Sequence, residues 1–171
     1  MRIELRAIEQ GDLEQLRNWR NSKALKDNFR EYRLLNMLNQ EDWFKSLTNN
    51  RSWLMYAITL EDQLIGACGL SSIDWVNRRA EIGLYIGDES TWGKGLGAEI
   101  LESLHEIAFL ELDLRMIYAH VYSYNEASLA LFRKCGYTEV GRWRNEHFHA
   151  GLHWHTILFD LSNDEWKEQK C

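Results

Sequence analysis

The chain has 171 residues, of which 45% are hydrophobic and 27% are charged, a composition typical of one globular domain with a full core. Its formal net charge of −6 argues against nucleic acid as the main partner, because phosphate binding favours a basic surface. The three cysteines are too widely spaced for a disulfide framework or a cysteine-based zinc site, and no run has the length of a membrane span.

The N-terminus and the internal composition indicate one continuous domain. The first ten residues lack the apolar core of a signal peptide, and neither a linker nor a repeat interrupts the chain. We therefore expect a cytoplasmic protein with a single domain over residues 1–171, which binds neither membrane nor nucleic acid.

Hydrophobic periodicity divides the chain into short strands and amphipathic helices. Their order predicts a mixed α/β domain with a central sheet, in which Asp12 and Asn125 are the predicted N-caps of their helices. The predicted elements are a strand at 2–8, a helix from Asp12 to Asn21, a loop with short helical pieces at 22–38, a helix at 40–47, strands at 53–60, 63–71 and 80–87, a helix at 94–112, a strand at 115–122, a helix from Asn125 to Cys135, strands at 137–148 and 152–161, and a short helix at 164–170.

Turn residues predict two hairpins within this order. The first turns at Glu61-Asp62 and the second at Ala150-Gly151. Gly66 and Gly69 interrupt the second strand of the first hairpin, which indicates a bulge or a close backbone approach.

The most informative segment lies between the third of these strands and the long helix. It reads Trp92-Gly93-Lys94-Gly95-Leu96-Gly97-Ala98. Its glycines free the backbone to point several N–H groups in one direction, at a helix N-terminus where the dipole also favours negative charge. The segment therefore predicts a phosphate or pyrophosphate site, with Lys94 as an additional cation.

Other glycine loops fit this segment less well. A Walker A loop fails on spacing, and no Ser or Thr follows Lys94. The dinucleotide pattern fits Gly93, Gly95 and Ala98, but the next strand, which ends near Tyr122, carries no acidic residue to hold a ribose. A helix cap without a ligand is the remaining alternative.

Three segments carry a family resemblance. They are Gly95 and Gly97 at the start of a helix, Asn125-Glu126-Ala127-Ser128 at the start of the next, and Cys135-Gly136-Tyr137 at its end. With these segments the chain resembles the GNAT superfamily of N-acetyltransferases. Residues 73–81 and the early Trp19-Arg20-Asn21 are similar to segments of one branch of that superfamily, which contains the ribosomal-protein N-terminal and spermidine acetyltransferases.

The resemblance implies a central, mostly antiparallel sheet flanked by helices, with splayed strands at 81–87 and 115–122. It implies acetyl-CoA as co-substrate, with the pantetheine arm between those strands and the pyrophosphate on residues 92–98. A dimer is common in this branch. The cofactor-binding residues it implies are Leu84, Tyr85, Ile86, Trp92, Gly93, Lys94, Gly95, Leu96, Gly97, Ala98, Asn125, Ala127 and Phe132.

Two positions depart from the family pattern. Trp92 replaces a Gln or Arg, which matters little if backbone donors bind the phosphates. Phe132 replaces a Tyr to which the resemblance assigns protonation of the leaving thiolate. Either another group or water supplies that proton, since a thiol pKa near ~8.5 makes CoA a tolerable leaving group, or the protein only binds acyl-CoA. Nearby hydroxyls are those of Tyr118, Tyr122, Ser123, Tyr124 and Ser128.

Glu81 is the first candidate for the catalytic base. An amine attacks only when it is neutral, so a group must accept its proton, often through water. Glu81 opens the cofactor strand, and the alternative is a salt-bridged surface carboxylate beside Arg78 and Arg79. Glu146 on the last hairpin is a weaker candidate.

Four histidines flank the turn of the last hairpin: His147, His149, His153 and His155. If His149 lies opposite His153, all four share one face of the hairpin. Such a cluster can bind zinc or nickel or supply a base, but no carboxylate is evident in the sequence to support metal-bound histidines, which favours a polar hairpin near the substrate opening or a dimer seam. We therefore expect no metal.

The resulting functional hypothesis is a transferase that moves acetyl from acetyl-CoA to a primary amine of a small molecule by direct attack. A polyamine, an amino sugar or an aminoglycoside is the expected acceptor. A protein N-terminal acetyltransferase, acting on a peptide N-terminus, is the alternative within the same chemistry. A non-catalytic acyl-CoA sensor and, more distantly, a Rossmann-type oxidoreductase are the alternatives from other classes.

Overall fold

The fold is that of a computed structural model, which describes residues 2–170. Seven strands and five helices carry the architecture. The strands are β1 (Ile3–Ala7), β2 (Leu54–Leu60), β3 (Gln63–Asp74), β4 (Arg79–Ile86), β5 (Met116–Tyr122), β6 (Thr138–His149) and β7 (Leu152–Ser162). The helices are α1 (Leu13–Asn21), α2 (Met37–Leu47), α3 (Leu96–Glu106), α4 (Glu126–Lys134) and α5 (Asn163–Lys170).

The strands form one sheet in the order β1-β2-β3-β4-β5-β7-β6. Neighbouring strands are antiparallel except β4 and β5, which are parallel and pair only at Arg79–Met116, Ala80–Ile117 and Glu81–Tyr118. The predicted mixed, mostly antiparallel sheet with splayed strands is confirmed.

Apolar residues pack on both faces of the sheet, because successive strand residues point to opposite sides. The larger cluster joins the apolar stripe of α3, which includes Ile100 and Leu104, to strand residues such as Ile58. The smaller cluster joins Leu13 and Leu16 of α1 to the strands, and Trp43 and Phe44 of α2 pack against it. Helices therefore cover both faces and fix the position of β4.

Local sequence signals position the turns. Glu61 and Asp62 both have positive φ, as a tight two-residue hairpin turn requires, and Ala150 and Gly151 repeat the arrangement. The pairing of β2 with β3 shifts at Ile58, opposite the segment that contains Gly66, so the predicted irregularity is a bulge. Both hairpins and the bulge are confirmed.

Helix starts depart from the sequence prediction in two places. Asp12 does not cap α1 with its side chain; its carboxylate instead accepts a hydrogen bond from the Glu9 backbone N–H at 2.8 Å and pairs with Arg6. Helix α2 starts at Met37 rather than residue 40, because Asn36 and Asn39 form a reciprocal capping box.

The long helix predicted at 94–112 is shorter in its regular part. It starts at Leu96, because Gly95 at its N-cap has a φ of 81° and leaves the helical region. After Glu106 the chain continues as a π-helical turn over Ile107–Glu111. The glycine segment therefore leads directly into the first turn of α3.

Candidate active site

A cavity opens where β4 and β5 separate. Their pairing ends at Glu81–Tyr118, so the following residues of both strands face a gap instead of each other. The cavity has a volume of about 1060 Å³ and is bordered by both strands, the glycine segment, the start of α4 and the last hairpin. The free strand edges offer backbone donors and acceptors to an extended ligand.

Most of the predicted site residues line this cavity. Lys94 and Ala98 do not line it, although both were predicted to bind the cofactor. Lys94 is an exposed residue of the glycine segment just before α3, so its charge lies beside the site. The predicted residues that line it are Glu81, Leu84, Tyr85, Ile86, Trp92, Gly93, Gly95, Leu96, Gly97, Asn125, Ala127 and Phe132.

The glycine segment has the geometry expected of an anion site. Gly93 and Gly95 have φ values of 74° and 81°, a backbone conformation that other residues rarely adopt. The first turn of α3 follows directly, and there the backbone N–H groups and the helix dipole favour negative charge. These features fit a pyrophosphate.

Trp92 has a structural role that the departure from the family pattern did not suggest. Its indole Nε1 donates a hydrogen bond to the Ile86 carbonyl at 2.9 Å. This bond ties the start of the glycine segment to the end of β4. Trp92 therefore holds together two predicted cofactor-binding segments, and this role does not depend on a contact between its side chain and a phosphate.

The start of α4 forms another border of the cavity. The Asn125 side chain accepts a hydrogen bond from the Ser128 backbone N–H at 3.2 Å, which confirms the predicted cap. Phe132 is buried and packs edge-on against Tyr137, with ring centroids 4.9 Å apart. Of the hydroxyls considered as proton donors in its place, those of Tyr122 and Ser128 belong to residues that line the cavity.

Glu81 lies in the cavity with its side chain only 12% exposed. It forms a bidentate ion pair with Arg30, in which Nη1 lies 3.1 Å from Oε2. The salt-bridged interpretation of Glu81 therefore holds, but not with the partners suggested by sequence. Arg78 pairs instead with Asp113, and Arg79 with Asp74.

His120 completes this cluster, and sequence analysis did not single it out. Its Nδ1 lies 3.1 Å from Nη2 of Arg30 and 3.5 Å from Oε1 of Glu81. Burial lowers the pKa of His120, while the charge of Glu81 acts in the opposite direction. Alternation along β5, which puts Tyr118, His120 and Tyr122 on one face, was the available signal.

Arg20 also lines the cavity, although it was named from the sequence only as part of a family-like segment and not as a site residue. Its guanidinium lies over the ring of Phe29, 4.4 Å from the centroid, and Phe29 packs edge-on against Tyr85. Burial lowers the pKa of Arg20. The positive charge of Arg20 therefore lies beside the middle of β4.

The histidine hairpin does not have the arrangement considered from sequence. His149 pairs with Leu152, and His153 pairs with Phe148, so the two histidine pairs lie on opposite faces. His147 stacks on Tyr122 with centroids 3.7 Å apart. Within residues 2–170, no group of three His, Cys, Asp or Glu side chains is arranged to hold a metal ion.

Glu146, the weaker candidate base, also lines the cavity. It accepts a hydrogen bond from the Thr156 hydroxyl at 2.6 Å and forms no salt bridge with the described residues. With the nearby rings of Tyr122 and Trp143, it gives this end of the cavity a carboxylate and aromatic faces.

Comparison with known proteins identifies the family. The model of the acetyltransferase (GNAT) domain matches residues 2–138. The chain belongs to the GNAT acetyltransferase family. It is 29% identical over 151 residues to a spermidine N(1)-acetyltransferase of Vibrio cholerae. This alignment covers 87% of this chain and 86% of the relative. It is 31% identical over 132 residues to the putative ribosomal N-acetyltransferase YdaF of Bacillus subtilis. This alignment covers 75% of this chain and 69% of the relative.

Solved structures support the same fold. A spermidine N-acetyltransferase from Vibrio cholerae, in complex with CoA and spermine, superposes with a TM-score of 0.89 over 96% of this chain and 98% of that chain, at 24% identity. The superposition shows the shared fold, and membership of the GNAT family makes this chain an acetyl-CoA-dependent N-acetyltransferase. Among its described helices, none is long and apolar enough to cross a membrane.

Proposed function

We propose that this GNAT enzyme acetylates a primary amine of a small cationic molecule, and that a polyamine is the preferred acceptor. The observation that carries the proposal is the end of the cavity, where Glu81 and Glu146 lie with the aromatic rings of Tyr122 and Trp143. Carboxylates and aromatic faces both attract ammonium groups. The relatives named as spermidine N(1)-acetyltransferases, in Vibrio cholerae and Escherichia coli, support the same class.

The remaining predicted residues are proposed to hold acetyl-CoA, which supplies an acetyl group activated as a thioester. The free backbone edge of β4 at Leu84, Tyr85 and Ile86 is proposed to pair with the pantetheine arm. Residues 92–98 are proposed to bind the pyrophosphate through backbone N–H groups, with Lys94 as a nearby charge rather than a wall of the cavity. The start of α4, at Asn125 and Ala127, and the ring of Phe132 are proposed to complete this side.

Proton transfer follows from the ionisation of the acceptor. A primary ammonium group has a pKa near ~10 and must lose a proton before its nitrogen can attack. We propose that Glu81 takes part in this deprotonation. In the net reaction an N–C bond forms and the thioester C–S bond breaks. The nitrogen loses two protons: one is released to solvent before attack, and the other is balanced by the proton that the leaving thiolate takes up. Because Phe132 cannot donate, water or the Tyr122 hydroxyl is proposed to protonate the thiolate.

A protein N-terminus is the second candidate acceptor. The relative YdaF, named as a putative ribosomal N-acetyltransferase, favours it. Arg20 and Arg30 line the cavity together with the two carboxylates, which gives a peptide both signs of charge to bind. A polyamine would use only the negative groups, so the two candidates make different demands on this cavity.

The state of the molecule in the cell completes the proposal. We propose a single domain over residues 1–171 that acts in the cytoplasm as a homodimer. The edge strand β6 leaves Val140 and Phe148 exposed, and such apolar side chains suit contact with a second copy. A dodecameric form is described for the Vibrio cholerae spermidine N-acetyltransferase, a fold neighbour at 22% identity.

An acceptor panel tests the proposed function. Purified protein with acetyl-CoA is offered spermidine, spermine, glucosamine, an aminoglycoside and short peptides with free N-termini, and released CoA and product mass are measured. We expect polyamines to give the highest kcat/KM, because they carry several ammonium groups on a slender, flexible chain without an anion, whereas an aminoglycoside carries its ammonium groups on bulky sugar rings. Preferential acetylation of peptides would support the N-terminal alternative. Acetyl-CoA binding without turnover on any acceptor would contradict the proposal.

A further inference from the structure

Three side chains from separate elements form one cluster at the point where β4 and β5 part. Arg30 comes from the segment between α1 and α2, Glu81 from β4 and His120 from β5. The guanidinium donates to both Glu81 oxygens and to Nδ1 of His120, which lies 3.1 Å from Nη2. One cation therefore occupies both acceptors at once.

The exposures of the three side chains differ. Those of Glu81 and His120 are 12% and 21% exposed, whereas that of Arg30 is 62% exposed. The carboxylate and the imidazole are therefore fixed parts of the cavity wall, and the guanidinium covers them from the solvent side. Arg30 belongs to a segment without regular structure, so it can leave without disrupting a helix or strand.

The contact with Arg30 defines the tautomer of His120. A guanidinium has only donors, so Nδ1 must be the acceptor, and a neutral ring then carries its hydrogen on Nε2. The lone pair that could take up a proton is the one on Nδ1, beside Glu81. It points at the same cation that pairs with the carboxylate.

Other charged and titratable groups act on this ring. Glu81 faces it from β4, Arg30 from the solvent side, Glu146 from β6, and Tyr118 from its own strand, with ring centroids 5.4 Å apart. The uncharged Trp143 packs at 4.9 Å. Burial lowers the pKa of His120, and a neutral imidazole is available near pH 7.

We propose that the acceptor's ammonium group displaces the Arg30 guanidinium and gives its proton to Nδ1 of His120, which is the general base, while Glu81 holds the ammonium group. This assignment rests on the proposed function and divides the deprotonation between two residues. An ammonium ion presents the same donors to the same two acceptors as the guanidinium does. A guanidinium pKa lies far too high for Arg30 to give up its own proton.

The proton transfer balances within the cluster. The ammonium nitrogen keeps the electron pair of its broken N–H bond, and Nδ1 uses its lone pair to form a new one. The neutral amine is then ready for acyl transfer, and the imidazolium lies beside Glu81, which stabilises its charge. The ring later returns the proton to water, as turnover requires.

A pH profile of kcat/KM for the best acceptor of the panel tests the base. In the wild type we expect kcat/KM to fall as the pH drops through the pKa of His120, which burial places below the usual imidazole range. His120→Gln should lower kcat/KM about 100-fold at pH 8 and abolish that acidic limb. Acetyl-CoA binding, measured by calorimetry, should be unchanged in this variant, which shows that it folds.

Matched controls separate the base from a general histidine effect. His153→Gln alters an exposed histidine that packs on Phe148 outside the cavity, and it should keep both the rate and the limb. Wild-type kcat/KM and an unchanged limb in His120→Gln would overturn the proposal. Loss of the limb in Glu81→Gln, with the limb retained in His120→Gln, would make Glu81 the direct base and also overturn it.

The displacement of Arg30 has its own readout. Arg30→Ala removes the competing cation, so the KM for the amine should fall roughly two- to fivefold, the range of a partly exposed ion pair. A rise in KM would mean that Arg30 holds the acceptor, which contradicts displacement.

Nitrogen-15 NMR of the His120 ring tests the assignment without turnover. At pH 8 the free enzyme should show the hydrogen on Nε2 and a bare Nδ1, and Nδ1 should gain its proton on acidification. A hydrogen on Nδ1 at pH 8 would refute the inference even if acetyl transfer is confirmed. If no amine is acetylated but the NMR result is as expected, the failure lies with the proposed function.

Discussion

At the scale of single residues, the buried polar groups show what holds the frame of the site. His105 of α3 is 2% exposed, and its Nε2 lies 2.9 Å from the hydroxyl of Tyr137. Its Nδ1 lies 3.3 Å from Glu102, which also accepts a hydrogen bond from the Trp166 indole and pairs with Lys170. This network links α3 to the strand after α4 and to α5.

His105 makes the stability of the protein depend on pH. Burial lowers its pKa in the folded state below the unfolded value, so the unfolded chain binds more protons between the two. The contribution of His105 to the free energy of unfolding is therefore fully present above about pH 6.5 and is lost as the pH falls through its folded pKa. Urea unfolding between pH 8 and pH 5 measures this loss.

His105→Leu should remove that part of the pH dependence. It should also cost about 1–3 kcal/mol at pH 8, because the hydroxyl of Tyr137 loses its partner in the core. His120 and His147 have lowered pKa values too, so some dependence should remain. The exposed His153→Gln should follow the wild type, and an equally steep curve for His105→Leu would refute the assignment.

Residue-scale prediction from sequence succeeded where the signal was local. The glycine segment and the Asn125 cap depend on a few consecutive residues, and both have the expected geometry. Glu81 lies 51 positions after Arg30 in the sequence, and His120 lies 90 positions after it, yet the fold brings the three side chains together. No local sequence pattern indicates that residues so far apart in the chain are close in space, so only the neighbours Arg78 and Arg79 were considered as ion-pair partners of Glu81.

At the scale of elements, the backbone at the start of α3 can be tested for its part in the proposed pyrophosphate site. Gly95 occupies the N-cap with a φ of 81°, and space around its Cα is open. A side chain would therefore meet no neighbour, and its cost would come from the backbone alone. This separates conformational strain from steric exclusion at one position.

Gly95→Ala should weaken acetyl-CoA binding. A left-handed conformation costs a non-glycine residue roughly 1–2 kcal/mol, and relief of this strain would turn the N–H groups away from the pyrophosphate. We expect Kd, measured by calorimetry, to rise by roughly 5- to 30-fold. Gly11→Ala is the matched control, since its Cβ also meets nothing but its φ is ordinary. Equal affinities in both variants would contradict this role.

The strand register explains why the histidines of the last hairpin do not share one face of the sheet, as the sequence analysis had considered. The alternation of His147 and His149 was correct, and so was the turn at Ala150-Gly151. The two strands meet so that His149 pairs with Leu152 rather than with His153, and this offset of one residue sends the second pair to the other face. Offsets of this size depend on turn geometry, which residue types alone do not fix.

At the scale of the whole molecule, the sheet consists of two groups of strands. Strands β1 to β4 form one antiparallel group, and β5, β7 and β6 form the other. Three register pairs between β4 and β5 join them. A ligand that fills the gap beyond Glu81 adds contacts to both groups, so its binding should stabilise the entire fold.

Acetyl-CoA should therefore raise the melting temperature. At 100 times its Kd a ligand that binds only the folded state adds about 2.7 kcal/mol. For a chain of this length that corresponds to a rise of roughly 5–10 °C in thermal unfolding. Glu81→Gln should keep this shift, since the proposed cofactor contacts lie elsewhere. NADH should give none, and a shift with NADH alone would contradict the proposed cofactor site.

The short seam between β4 and β5 also has a mechanical consequence. Only three residue pairs join the two strand groups directly, whereas continuous pairing holds the strands within each group. A coenzyme arm bound in the gap as proposed would add contacts across this seam and oppose relative movement of the two groups. Acetyl-CoA should therefore slow amide hydrogen exchange in both β4 and β5, and release of the thiol product should reverse this protection.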